Sequence, residues 1–173
     1  MKLFFRIGVI LFIFSFLFGC LSFGYQSPRY VKLAHEITGK TGKKLKEQKG
    51  LFLVGTGGQM MDDIQIMAMS FDYYQEVDLK TGRELIVHVI NEYLSAINNN
   101  KEVRPYLHEY PFTAKNVEIR IFVYNPDRSE LPPEKIDCIE CINGGLEYYT
   151  RSNPRQAIYE ETYEEASRAI SSE

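Results

Sequence analysis

The sequence predicts an α+β fold: a single domain with a mixed or antiparallel sheet of about five strands and helices packed mainly on one face. Three observations predict it. Runs with apolar residues at alternate positions are interleaved with long segments of helical period. Two strand junctions, at Gly55-Thr56-Gly57-Gly58 and Asn143-Gly144-Gly145, are too short for a crossover helix and read as antiparallel turns. The 12 Tyr and 11 Phe, with many Ile and Val, argue for a packed core rather than disorder. Helices and strands mixed in this way favour one sheet with helices against it.

The elements follow in order. From Pro28 to Gln48 the positions Tyr30, Leu33, Ile37, Thr41 and Leu45 recur at helical spacing. Gly39 and Gly42 each weaken that helix by about 1 kcal/mol relative to Ala, and Gly50 is a natural stop. Leu51 to Val54 is a short strand, broken by the Gly55–Gly58 cluster. Ile64 to Val77 is a long strand, with Ile64, Ile66 and Ala68 on one face and Met67, Met69, Phe71 and Tyr73 on the other. Both faces are apolar, which predicts a central position. Residues 79–98 carry the stripe Leu85, Ile86, Val89, Ile90, Tyr93, Leu94 and Ile97, with Thr81–Glu84 as a capping box and Asp78 as the other candidate cap.

A Pro-punctuated connection follows, then Val117, Ile119, Ile121 and Val123 alternate as a half-buried strand. Asn125-Pro126-Asp127 turns it. Ile136–Ile142 and Leu146–Thr150 flank the Asn-Gly-Gly hairpin. Asn153-Pro154 reads as the start of a last helix. Its inner face would be Tyr159, Tyr163, Ala166 and Ile170, and its outer face Glu160, Glu161, Glu164 and Glu165.

The chain opens MKLFFRIGVILFIFSFLFGCLS. Lys2 and Arg6 precede an apolar run from Ile7 to Phe18, which is the pattern of a secretory signal. Leu17-Phe18-Gly19-Cys20 resembles the lipobox of bacterial lipoproteins, although Phe18 stands where that pattern has a small residue. The resemblance implies a signal peptide over 1–19, lipidation of Cys20, a tether over 20–27 and a domain over 28–173. It implies a protein of the periplasm or the outer membrane if the source has two membranes. An uncleaved signal-anchor is the second reading, since Ile7 to Phe23 is just long enough to span a bilayer, with the basic N-terminus held in the cytoplasm.

The chain has 20 basic and 23 acidic residues, and without Lys2 and Arg6 the balance is about −5. That gives no basic footprint for nucleic acid. Cys138-Ile139-Glu140-Cys141 is a CxxC, but in an extended strand residues three apart point to opposite faces, with their Cα atoms about 10 Å apart. That is too far for a disulfide without a local bulge. One CxxC is also half of a zinc site at most. A disulfide, a reactive thiol and inert packing all remain open for Cys138 and Cys141. Gly55, Gly57 and Gly58 follow a strand, as phosphate loops do, yet match neither dinucleotide nor P-loop patterns. They read as a turn or as a ligand loop.

Asp62, Asp63 and Asp72 lack a calcium spacing. Of His35, His88 and His108, none is in a paired ligand spacing. His108-Glu109 lies in the loop, where function more often resides. Two surfaces look usable for binding. One is the tyrosine set Tyr73, Tyr74, Tyr106, Tyr110, Tyr148 and Tyr149, whose other reading is core and sheet face. The other is the basic stretch Lys40, Lys43, Lys44, Lys46 and Lys49, which suits anionic headgroups. The expectation is a membrane-anchored envelope lipoprotein without cofactor or metal, binding another envelope protein or a cell-wall component. An exported enzyme, thiol-based or a hydrolase around His108, and a small-ligand carrier are the alternatives.

Overall fold

The computed structural model describes residues 26–172. The signal segment and Cys20 lie outside the described residues. The order is α1 (Arg29–Lys49), β1 (Phe52–Gln59), β2 (Ile66–Tyr73), α2 (Leu79–Asn99), β3 (Val117–Val123), β4 (Ile136–Ile142), β5 (Gly145–Thr150), β6 (Tyr159–Thr162) and α3 (Tyr163–Ser171). Among the described residues no helix is long and apolar enough to cross a membrane.

Among the described residues six strands form one sheet in sequence order, β1 to β6. Only β2 and β3 pair in parallel; the other four pairs are antiparallel. The parallel pair follows from the connection between them. α2 and the Pro-rich segment carry the chain back along the sheet, which a tight turn cannot do. The β4–β5 junction is a two-residue turn, and Asn143 (φ 50°) with Gly144 (φ 78°) supplies the positive φ angles that Asn-Gly chemistry favours there.

Among the described residues the three helices lie on one face. α1 packs on β1, α2 on β3 and β4, and α3 beside β6 and α2. The core is the inward half of each strand. Met67, Met69 and Phe71 of β2, Val117, Ile119 and Ile121 of β3, and Ile139 and Cys141 of β4 are fully or nearly fully buried beneath Ile86, Ile90 and Tyr93 of α2. β2 is an interior strand as its sequence predicts, but only one of its faces is covered. The residues at Ile66, Ala68, Ser70 and Asp72 are half-buried on the other.

Four expectations are corrected. The long strand expected over Ile64–Val77 is β2 alone, Ile66–Tyr73, with Ile64 in an isolated bridge to Leu107. Gly55–Gly58 do not end the first strand: β1 runs through them to Gln59, with a register shift after Leu53 that takes up the extra residue as a bulge. Asp78, not Thr81, caps α2, its carboxylate accepting from the Thr81 N–H at 2.7 Å. The last helix does not start at Asn153-Pro154. The chain first makes β6, and α3 begins at a full capping box in which Thr162 and Glu165 exchange side-chain-to-backbone bonds. The sheet therefore has one strand more than expected.

Candidate functional site

The residues that alternate with the core positions point to the uncovered face of the sheet. The registers Arg120↔Glu140 and Phe122↔Cys138, and Glu140↔Glu147 and Cys138↔Tyr149, place these side chains in rows across β3, β4 and β5. Arg120 donates from Nε and Nη2 to the two Glu140 carboxylate oxygens at 2.7 and 3.1 Å, a two-pronged pair that holds both side chains across the strands. The Tyr149 hydroxyl donates to Glu147, and the neighbouring carboxylate pushes the phenol up to about 12.

At one end this face becomes concave. A cavity of about 360 Å³ is walled by Phe122, Tyr124 and Tyr149, floored by Asp137 and Cys138, and rimmed by Arg151 and Arg155. Arg151 is held by Glu130 and by the Leu131 carbonyl at 2.8 Å. Burial raises the Asp137 carboxyl above its usual range. A band of rings continues beside the cavity, Phe52 to Tyr74 at 5.3 Å and Tyr74 to Tyr124 at 5.9 Å, with the Arg128 guanidinium 5.4 Å over Tyr74. The cavity lies at the end of β3 remote from the start of α1, because the Tyr30 hydroxyl of α1 donates to Met61 O, at the opposite end of the sheet.

The CxxC straddles the sheet, as its spacing requires. Cys141 is fully buried under the helices and Cys138 is on the uncovered face. Both are free thiols. Burial pushes each up to about 12, with Glu140 adding to the effect at Cys138. A thiol this reluctant to ionise is a poor nucleophile and a poor metal ligand.

Gly55 and Gly57 lie on the uncovered face opposite Ser70 and Ala68. They form one side of a shallow trough of about 220 Å³ bounded by Arg120 and Ile142. Gly58 (φ 144°) is a different case: a Cβ there would lie 2.2 Å from the Ile66 carbonyl oxygen, so this position needs glycine.

The His and Asp candidates separate. His108 Nδ1 lies 2.6 Å from Asp63 Oδ2; this hydrogen bond raises the imidazole and lowers the carboxyl. The pair ties the β1–β2 connection to the loop after α2, and Asn116 Nδ2 donates to Glu109 in that same loop at 2.6 Å. Asp72 accepts from the Tyr74 hydroxyl at 3.2 Å. His35 is exposed on α1. His88 Nε2 is buried without a hydrogen bond in the chain, and burial lowers its pKa, which keeps the ring neutral. Among the described residues no three of His, Cys, Asp or Glu converge to hold a metal ion.

The tyrosines divide by location. Tyr73 and Tyr148 are core residues, Tyr74 and Tyr149 belong to the aromatic end of the uncovered face, and Tyr106 and Tyr110 lie in the loop after α2. The basic stretch occupies the half of α1 remote from Arg29, with Lys46 Nζ 4.8 Å over the Phe52 ring.

Sequence reasoning missed Glu161. It faces inward, with its side chain 5 % exposed, paired with Arg83 Nε at 2.8 Å, and it accepts from the Tyr148 hydroxyl at 2.8 Å. The apolar-polar alternation of β6 is too short to reveal this, and the four Glu of the region read as one solvated face.

No protein-family model matches the chain, and no curated protein or solved structure compared with it matches either.

Proposed function

We propose that the protein is an exported, membrane-anchored binding module that recognises another envelope protein or a cell-wall component through the uncovered face of its sheet. One observation carries the reading. A sheet covered on one side by α1, α2 and α3 presents, on its bare side, an aromatic-walled concavity at the end remote from the tether. Bare sheet faces are ordinarily polar, whereas Phe122, Tyr124, Tyr149 and Arg151 are residue types enriched where partners bind. The cavity, about 360 Å³, is at the lower end of the small-ligand range, so a protruding side chain or short polymer unit fits it better than a large cofactor. Anchoring rests on the N-terminal sequence, where the lipobox-like Leu17–Cys20 ends an apolar run.

The test is site-specific photocrosslinking in native membranes, with the probe at Phe122, at Tyr149 or, as a control, at the exposed Glu84 on α2. The first two positions are expected to give the same adduct and the control none. Equal adducts from all three, or turnover of a defined substrate by the purified chain, would reject the reading. Intact mass settles the anchor separately: loss of the first nineteen residues with acyl chains added is the expected result.

A further inference from the structure

We propose that the outer face of α1 is a second docking surface, one that lies lengthwise on an anionic lipid headgroup layer. The proposal rests on the anchored reading above and adds the orientation of the domain.

α1 carries Arg29, Lys32, Lys40, Lys43, Lys44, Lys46 and Lys49 against only Glu36 and Glu47, a net charge of +5. The whole chain is −3, so the remainder of the molecule is −8. The excess is therefore confined to one helix. At 100° per residue, the buried positions Ala34, Ile37, Thr41 and Leu45 mark the inner side of α1. Arg29, Lys32, Lys40, Lys43 and Lys46 fall on the opposite side.

Internal partners neutralise only part of this charge. Lys40 pairs with Glu36 and Lys44 with Glu92, both at 2.5 Å, and Arg29 pairs with Glu102 at 2.7 Å. Among the described residues Lys32, Lys43 and Lys49 make no ion pair. The helix dipole favours cations only in the last turn, so it accounts for Lys46 and Lys49 and not for Lys32 or Lys43.

Two facts select a membrane over another polyanion. Eight residues separate Cys20 from Arg29, and an extended chain of that length spans at most about 30 Å. A lipidated Cys20 therefore keeps α1 beside the bilayer whatever else the domain meets. The charge also falls off across the helical layer. In α3, Glu164 and Glu165 stand against Arg168, which favours contact through the α1 side. Lys40 to Lys49 lie in the half of α1 away from the tether, so they reach headgroups only if the helix lies along the surface. That pose leaves the uncovered sheet face clear of the bilayer, because α1 packs on the other face.

The test uses the full chain in nanodiscs of phosphatidylcholine alone or of phosphatidylcholine with phosphatidylglycerol. Lysines are labelled with an amine-reactive reagent and read by mass spectrometry. Labelling of Lys32, Lys43 and Lys46 is expected to fall several-fold in the anionic discs and to recover at high salt. Labelling of Lys135, at the start of β4 and three strands away from β1, is expected to be unchanged. The double variant Lys32→Gln, Lys43→Gln removes only exposed charges that make no ion pair and is expected to lose the protection at Lys46. Equal labelling in both discs overturns the proposal, as does protection by a soluble polyanion but not by lipid. A chain that enters neither disc rejects the anchored reading instead. Labelling against free phosphatidylglycerol vesicles then decides the docking surface by itself.

Discussion

Gly39 and Gly42 are three residues apart in α1 and have opposite reasons for being glycine. A Cβ at Gly39 would meet nothing within 4 Å, whereas one at Gly42 would lie 2.7 Å from Leu53 Cδ2 and 3.2 Å from Leu53 Cβ. At Gly42 α1 packs directly on Leu53 of β1. Gly39→Ala is expected to stabilise by up to about 1 kcal/mol, the helix-propensity difference. Gly42→Val is expected to destabilise by about 1–3 kcal/mol, the usual cost of overpacking. Urea midpoints at unchanged m-value measure both, and a Gly42→Val midpoint equal to wild type would mean that Leu53 moves aside freely. The sequence shows two helix-weakening glycines and no difference between them, because the distinction resides in the neighbouring strand. The cysteines are the converse case. Their placement on opposite faces was legible from the strand period alone, since three residues along a strand is an odd number of reversals.

At the scale of elements, the His108–Asp63 contact joins two segments that no backbone ladder joins beyond the isolated Ile64–Leu107 bridge. Its pH dependence follows from the two shifts. His108 is raised from 6.5 by its bond to Asp63, so its contribution is complete below about pH 6.5 and is lost as pH rises through the raised value. Asp63 is lowered from 3.8 by the same bond, so its contribution is complete above about pH 3.8 and is lost as pH falls through the lowered value. The link is thus strongest between those limits. The melting temperature of His108→Gln, compared with wild type from acid to alkaline pH, is expected to differ most inside that window and to converge outside it. Asp63→Asn is expected to trace the same curve, and a difference that stays flat with pH would show that the pair contributes no charge interaction. Elements with strong periodicity, α2 and β3 above all, were legible almost to the residue. The link between Asp63 and His108 was not, because 45 positions separate them and only the fold brings them together. β6 was misread for a different reason. Tyr159, Tyr163, Ala166 and Ile170 are spaced as a helix face would be, yet the capping box at Thr162 and Glu165 starts the helix only at Tyr163, nine residues after Pro154.

At the scale of the molecule, the sheet is not equally secured along its width. β2 to β5 are held by ladders on both sides and by the main core. β6 is a four-residue edge strand paired only with β5, and α3 buries only Ala166. Beyond its ladder to β5 and the partly buried Tyr163 and Ile170, this last unit is fastened by a few polar contacts. Arg83 of α2 meets Glu161 at 2.8 Å with side chains 15 % and 5 % exposed, and Tyr163 donates to Asn91 of α2 at 2.5 Å. Removing one partner of a buried ion pair leaves a charge without compensation and costs about 3–5 kcal/mol. If β6 and α3 open as one local unit, the cost falls there and not on the whole fold. Native-state hydrogen exchange tests this. In wild type, amides of β6 and α3 are expected to exchange at a lower opening free energy than those of β2 and β3. Arg83→Leu is expected to lower that opening energy by about 3 kcal/mol, or to the limit at which the unit is already detached, with β2 and β3 unchanged. Adding Glu161→Leu is expected to restore part of the loss, since it removes the stranded carboxylate but leaves the Tyr148 hydroxyl without its acceptor. A loss spread evenly over all strands would mean that the edge unit and the core unfold together, and that the Arg83–Glu161 pair is part of the global fold.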